Sequence, residues 1–400
     1  MVCNECLHLI KCKRCASRLE VEVLACGDDG EVVDAVLKCV GCEASYVVSD
    51  GVLLGVKNRI NEERIRAFNE KYERDYFIES SESDYISFVE REQYPRKETL
   101  VDVFRKILAS FYYIGVIVVV AVFLWLFGRK RKKSKIYRER AFHLAREYYY
   151  VPEMAIQKII EMEALDRALG KAPSRLLDIG GGNGIVTGIF LGDSKGCRVN
   201  VDLFAIPSTT YDLIVSDDVR SPIFKERRFE GIISICVLEH VPEAHTLFPN
   251  VAKLLCPAGR FVFTTPRKRY LESLVIVRLL GRLMPRVAEA YKRFDLKKSH
   301  HVSLYGREEM MEHLDAAGFS QVIAIPFYKT EHLFVYDLIN LPAKLSSRWY
   351  FWGELKQVLD GAPFLKKFFR GMVYRMLLHL DLSEERDKDR YTHYVYVCRK

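Results

Sequence analysis

The stretch Leu176-Leu177-Asp178-Ile179-Gly180-Gly181-Gly182-Asn183-Gly184 decides how the chain is read. Two leucines and an isoleucine around a carboxylate form a short buried strand, and the glycines after it turn the backbone into a helix beginning near Ile185. Glycine lets such a turn bend sharply and approach a ligand closely, while the first turn of the helix directs free N–H groups at it. The pattern predicts a site for a nucleotide-like cofactor. No Lys-Ser/Thr pair ends the run, which excludes a P-loop. Ile185 stands three residues after Gly182, where a dinucleotide fingerprint needs its third glycine, so the ligand is read as lacking a pyrophosphate.

Asp178-Ile179-Gly180-Gly181-Gly182-Asn183-Gly184 resembles the first motif of class I S-adenosylmethionine-dependent methyltransferases. The resemblance runs from about Leu176 to Phe327. Strands over Arg175–Ile179, Arg198–Asp202, Tyr211–Ser216, Gly231–Ile235 and Arg260–Thr264 alternate with helices over Ile185–Leu191 and Pro242–Leu255, as in a parallel α/β sheet. Phe229-Glu230-Gly231-Ile232-Ile233-Ser234-Ile235-Cys236-Val237-Leu238-Glu239-His240-Val241 resembles the fourth strand and turn of the small-molecule and lipid branch (methyltransferase type 11-like), with Glu230 in place of the usual aspartate. Leu254-Leu255-Cys256-Pro257-Ala258-Gly259 resembles the family's Leu-x-Pro-Gly-Gly turn, with Ala258 replacing a glycine. Glu308 to Phe319 matches its late helix, and Tyr391–Cys398 supplies a last strand. The implied fold is α/β, a Rossmann-like seven-stranded sheet.

The resemblance assigns cofactor contacts to Asp178, Gly180, Gly182 and Gly184, and the ribose hydroxyls to Asp202, which closes the second strand. It also calls for an aspartate near the adenine amino group. Counting from Phe224 and Phe229 selects Asp218, counting from Pro222 selects Asp217, and we assign Asp218. A hydroxyl acceptor would need a base; His240 and His301 are the candidates by residue type, although each could instead orient a loop.

Before this domain, residues 1–57 carry Cys12-x-x-Cys15 and Cys39-x-x-Cys42, two knuckles that can offer four thiolates to one tetrahedral Zn(2+), with a two-strand excursion between Leu19 and Leu37. The segment resembles the small zinc ribbons that accompany or activate methyltransferases. Cys3 and Cys6 are a further pair, either free or completed by ligands the sequence does not identify. Cys197, Cys236, Cys256 and Cys398 lie in or beside apolar runs and read as buried small hydrophobes.

Residues 58–106 are charged and helix-favouring and read as a stalk. Ile107 to Phe127 is a run of 21 residues without a charge, long enough to cross a bilayer as one helix. The basic cluster Arg129–Lys135 comes directly after it, so the positive-inside rule predicts a single-pass membrane protein whose catalytic domain, 128–400, is cytoplasmic. That topology leaves the zinc ribbon outside, where thiolates oxidise, a conflict that a re-entrant or in-plane segment would remove.

The net charge of +8 is concentrated near 129–135 and 267–298, which favours a local anionic partner over wrapping of nucleic acid. No Asn/Asp-Pro-Pro-Tyr/Phe motif succeeds the fourth strand, and no nucleic-acid substrate is expected. Two insertions, 267–299 and 331–388, mix apolar and aromatic residues with Lys and Arg and are expected to choose the acceptor at a membrane surface. The leading expectation is a membrane-anchored methyltransferase modifying a lipid-like or prenyl-linked small molecule by O- or C-methylation. The alternative is a membrane protein whose zinc ribbon binds a protein partner beside an inactive methyltransferase-fold scaffold.

Overall fold

Two apolar strands joined by a Gly30-containing turn begin the sheet, β1 (Leu19–Cys26) and β2 (Val32–Cys39), antiparallel with Leu19 opposite Cys39. The structure is a computed structural model. It describes residues 4–78 and 133–400 apart from positions 29, 171, 193, 219, 221–222, 346–347 and 383–386, and between these parts only Phe111, Gly115, Val118 and Val119. Two shorter strands, β3 (Ser45–Ser49) and β4 (Val52–Leu54), continue the antiparallel meander. The two-strand excursion between the cysteine knuckles thus forms as its spacing predicts.

Helix α1 (Arg59–Tyr72) comes next, capped by the Asn58 side chain, which accepts from the Asn61 N–H. The catalytic region opens with α2 (Lys135–Glu147) and α3 (Pro152–Leu169). Then come β5 (Arg175–Ile179), α4 (Ile185–Leu191), β6 (Cys197–Asp202), β7 (Leu213–Ser216), β8 (Phe229–Ile235), α5 (Phe248–Leu254) and β9 (Leu255–Pro266). The first insertion supplies α6 (Val275–Leu280) and α7 (Pro285–Ser299), and α8 (Arg307–Ala316) leads to β10 (Gln321–Lys329). The second supplies α9 (Thr330–Leu345), α10 (Arg348–Asp360) and α11 (Pro363–His379) before β11 (Tyr391–Arg399).

All eleven of these strands belong to one sheet, ordered β1-β2-β3-β4-β7-β6-β5-β8-β9-β11-β10. Strands β5 to β9 pair in parallel, and β11 lies antiparallel to both β9 and β10. Side chains alternate across it as the pleat requires. Leu177, Ile232, Phe261 and Phe263 join the core under α5 and α8, whereas Leu176, Ile233 and Val262 join the core under α2, α3 and the insertion helices. The strands buried on both faces are therefore nearly continuous apolar runs. Ala258, standing where the resemblance has glycine, takes φ +62° near the start of β9, a conformation glycine adopts without cost.

The seven-stranded expectation is corrected at one edge. Strand β4 runs parallel to β7, with Val52, Leu53 and Leu54 opposite Ile214, Val215 and Ser216. The N-terminal strands therefore extend the catalytic sheet. Their core is shared too, since Leu9, Ile10, Ala35 and Leu37 pack in the same cluster as Val199 and Leu213. The reading of 58–106 as a stalk fails over α1, whose Ile65 and Phe68 pack with Ala205, Tyr211 and Ile214. Asn58 and Arg64 donate to the carbonyls of Leu203 and Ala205, and Asn61 donates to Ser216 Oγ at 2.8 Å. The rest of that segment, 79–106, lies outside the described residues.

The single-pass membrane protein expected from 107–127 is also corrected. No helix among the described residues is long and apolar enough to cross a membrane, and most of 107–127 lies outside the described residues. A single crossing between α1 and α2 would put β4 and β7 on opposite sides of a bilayer, and they are neighbours in one sheet. The conflict over exposed thiolates goes with it. Cys6 and Cys197, read as one of a cysteine pair and a buried hydrophobe, are joined as a disulfide that ties the N-terminal segment to β6; Cys3 lies outside the described residues.

Lys13 reaches from the first cysteine knuckle to Asp217, which is fully buried after β7, at 2.6 Å. Removing one partner of such a pair strands a buried charge, at a cost of about 3 kcal/mol. Lys13→Ala should lower unfolding stability by about that amount, and adding Asp217→Asn should restore part of it. Urea unfolding of the two variants checks this.

Candidate active site

The turn from β5 to α4 is fixed from three sides. Gly180 takes φ +75° with the Val237 side chain pressed against it, so a Cβ there would collide. Gly182 takes φ +55° and has open space around it, the side from which a ligand can approach the backbone. The loop is stitched to β6: the Gly180 N–H donates to Val201 O, the Gly181 N–H to Asn200 Oδ1 and the Gly182 N–H to Asp202 Oδ2. Beneath it, buried Asp178 accepts from the hydroxyls of Thr187 and Tyr211. Burial pushes its carboxyl up to about 6, against the opposing effect of these two donors.

Asp202 lies at the C-terminal end of β6 and also accepts from the Phe204 N–H; burial raises its carboxyl above the usual range. The two acids after β7 differ. Asp217 is turned inward, bonded to Lys13 and to the N–H groups of Asp218 and Ile223. Asp218, less buried, is held by the Arg220 guanidinium at 2.7 Å, which together with the Arg220 N–H keeps it ionised against burial.

A cavity of about 200 Å³ opens at the C-terminal ends of β8 and β9. This is where open α/β sheets receive ligands. Cys236, Glu239, His240 and His301 line it, and both insertions reach it, the first through Tyr270, Leu274, Asp295 and Ser299 and the second through Leu333, Tyr336 and Lys344. His240 and His301, far apart in sequence, have ring centroids 5.1 Å apart. His240 Nδ1 lies 3.2 Å from His300 O, and His301 Nδ1 lies 2.8 Å from Tyr270 Oη, whose hydroxyl donates to Asp295 Oδ2 at 2.7 Å. A carbonyl can only accept, and the Tyr270 proton is used by Asp295. Both rings are therefore assigned the tautomer with the proton on Nδ1.

Asp295 continues the chain to Lys344, a buried ammonium shared with Asp337. Burial alone would depress that ammonium, and the two carboxylates overcome it and keep it protonated. On the other wall, Lys158 pairs with Glu161 at 2.8 Å, and Glu161 accepts from Thr264 and Cys236. Sequence reasoning found His240 and His301 but not Tyr270, Asp295, Lys344 or Glu161. Asp295 carried a signal, as an acid alone among the basic residues 292–298.

A second constellation lies at the knuckles. Cys12 and Cys42 Sγ are 3.7 Å apart, Cys15 and Cys39 3.3 Å, and Cys15 and Cys42 3.6 Å. Four thiolates around one zinc at about 2.3 Å would stand roughly 3.8 Å apart, so this set fits a tetrahedral ion.

Residues 150–324 match a family model described as a methyltransferase domain. A ubiquinone biosynthesis O-methyltransferase of Pseudomonas savastanoi is 26% identical over 145 residues, covering 32% of this chain and 62% of the relative. One from Aromatoleum aromaticum is 26% identical over 176 residues, 40% of this chain and 74% of the relative. The chain thus spans under two thirds of the first of these relatives. Among solved structures, an S-adenosylmethionine-dependent methyltransferase from Archaeoglobus fulgidus aligns with TM-score 0.36 at 14% identity, covering 63% of this chain and all of the other.

Asp178 gives a pH test. Its folded value of about 6 exceeds the unfolded value of about 3.9, so the folded state holds the extra proton between these limits. Its contribution to stability is present below about pH 4 and lost as pH rises to about 6, a change of about 2–3 kcal/mol. Asp178→Asn should remove that part of the slope, so that the variant's deficit is largest at low pH. Urea unfolding across the window measures it.

Proposed function

We propose that the chain, whose residues 150–324 match a methyltransferase domain, is a class I S-adenosylmethionine-dependent methyltransferase that methylates a hydroxyl-bearing, lipid-like small molecule. C-methylation is the related alternative. One observation carries this reading: the open glycine turn with Asp202 beside it and the polar cavity holding His240 and His301 lie at the same edge of the sheet. Cofactor and acceptor can therefore meet across the ends of β5 and β8.

S-adenosylmethionine, when bound, supplies a methyl already activated by the sulfonium charge. The chain's task is to hold the two reactants in line and to prepare the acceptor. Gly182 would give close backbone approach, with Gly180 and Gly184 holding the turn against Val237 and against Thr210 and Tyr211; Asp202 would accept from the ribose hydroxyls, and Asp218 would face the adenine amino group. Asp178 supports the loop from beneath through Thr187 and Tyr211. The acceptor's hydroxyl must give up a proton, and Glu239, His240 and His301 are the groups set to act on its oxygen.

The relatives' O-methylation in ubiquinone biosynthesis supports a hydroxylated acceptor of modest size. The insertions support a lipid-like portion: Leu279, Leu283 and Phe364 are 62%, 82% and 80% exposed, beside Arg282, Lys366 and Lys367. Such apolar-basic faces suit the tail and headgroup of an amphiphile. Cys12, Cys15, Cys39 and Cys42 would hold one structural zinc that keeps the knuckles, and with them Lys13, in position.

Calorimetric titration of the full chain with S-adenosylmethionine should give micromolar binding that Asp202→Ala abolishes. A folded protein that does not bind would refute the reading. His301→Ala should leave cofactor binding unchanged and lower methyl transfer by about 10²-fold or more. Zinc retained through dialysis against EDTA should be stoichiometric in the parent and lost in Cys39→Ser.

A further inference from the structure

The acceptor cavity holds an uneven balance of buried charge. Two ammonium groups line it, Lys158 and Lys344. Lys158 is paired with Glu161, and Lys344 with both Asp295 and Asp337. Three buried carboxylates thus meet two buried ammonium groups, before Glu239 is counted. Glu239 lines the same cavity with its Oε2 unpartnered, and it can only add to the surplus. His393, another lining residue, does not offset it. Burial pushes its imidazole down to about 4, against Glu161 and with Lys158 assisting, so the ring is neutral.

The surplus is held by groups already committed to it. Tyr270 donates to Asp295, while Tyr291 and the Val275 N–H donate to Asp337. An acceptor that brought a further negative charge would meet this surplus at low dielectric, with both lining ammonium groups already paired.

Tyr328, near the end of β10, contributes the opposite feature. It is 1% exposed, lines the cavity, and its hydroxyl has no hydrogen-bond partner. The ring is set between those of His332 and His393, at centroid separations of 5.8 and 5.0 Å, and the Thr392 hydroxyl donates to Tyr328 O. The hydroxyl is therefore held in place before any ligand arrives. Burial raises the phenol well above its usual range, and Tyr336, Glu153, Cys236 and Glu161 push it the same way, so it keeps its proton and can donate. A buried hydroxyl without a partner is costly, and an oxygen of the ligand is its natural complement.

We propose that Tyr328 selects the acceptor by donating to one of its uncharged oxygens, and that the cavity admits a neutral reacting end and rejects one carrying a carboxylate. This rests on the methyl-transfer reading above, which places the acceptor here. A carbonyl, an ether or a second hydroxyl can each serve as the oxygen. Tyr328 recognises the acceptor, and the surplus carboxylate decides which charge may accompany it.

Calorimetric titration of the full chain with protocatechuamide and with protocatechuate, each with and without S-adenosylhomocysteine, tests this. The two probes have the same shape and differ by one negative charge. The amide is expected to bind at least about tenfold more tightly than the acid. Tyr328→Phe should weaken the amide roughly tenfold. It should also unfold in urea at no lower a concentration than the parent, because the hydroxyl removed has no partner; a merely structural tyrosine would lose stability instead. Asp337→Asn, its fold checked by cooperative urea unfolding, should narrow the preference for the amide. Equal or tighter binding of the acid, or an unchanged preference in Asp337→Asn, would overturn the charge selection. Unchanged amide binding by Tyr328→Phe would overturn the role of Tyr328, and binding of neither probe would overturn the acceptor class. If S-adenosylmethionine does not bind while the amide still binds through Tyr328, the methyltransferase reading falls and the pocket assignment stands.

Discussion

Three backbone positions on β4 and three on β7 hold the molecule's two ends together. Parallel strands of this length are weak alone, and the pairing persists because other contacts surround it. Lys13 bonds Asp217 just beyond β7, α1 caps the junction through Asn58 and Asn61, and Ile10 bridges Phe224 from the other side. Every one of these contacts touches the segment from Leu203 to Phe224, which also carries Asp218, the carboxylate proposed for the adenine end of a cofactor. The cysteine module therefore braces the segment that carries Asp218. A membrane crossing between the two halves is incompatible with the same pairing.

The sheet's other constraint is the closeness of the glycine turn to its neighbours. Val237 fills the space a Cβ at Gly180 would need, and Val237 sits between Cys236 and the Glu239-His240 turn. The cofactor loop and the acceptor cavity thus share one contact, and the position of one limits the other. The insertions complete the cavity from outside. Their buried ions, Lys344 with Asp295 and Asp337, are costly to bury and give a fixed geometry behind Tyr270.

Much of this was legible in the chain. Strand β5, helix α4 and the ends of β6 and β8 fall where periodicity and turn residues put them, because buried parallel strands are short apolar runs closed by glycine or acid. The hairpin between the knuckles was equally plain. The joining of β4 to β7 was not, since Val52-Leu53-Leu54 reads as any short apolar strand and its partner lies far along the chain. For Asp217 and Asp218, counting could not tell which acid turns inward, because Lys13, which decides it, belongs to another part of the sequence. The apolar run 107–127 satisfied a length criterion that says nothing about which segments must lie side by side. Glu239 was read as part of a signature, and the lack of a hydrogen-bond partner for its Oε2 is a property of the surroundings alone.

The junction also sets an order of events during synthesis. Leu54 leaves the ribosome about 160 residues ahead of Ser216, its partner across the sheet. At ordinary elongation rates that is a wait of roughly 8–30 s. Throughout it the nascent N-terminal segment presents Leu9, Ile10 and Leu53, all buried in the finished protein, and an unpaired β4 edge. A polar, strongly charged stretch, 58–106, is translated during this interval. The cysteine knuckles carry their four thiolates within the first 42 residues, so all four are available to a metal ion before the later strands are made. Zinc capture on the ribosome would shorten the time that the open edge is available to other chains.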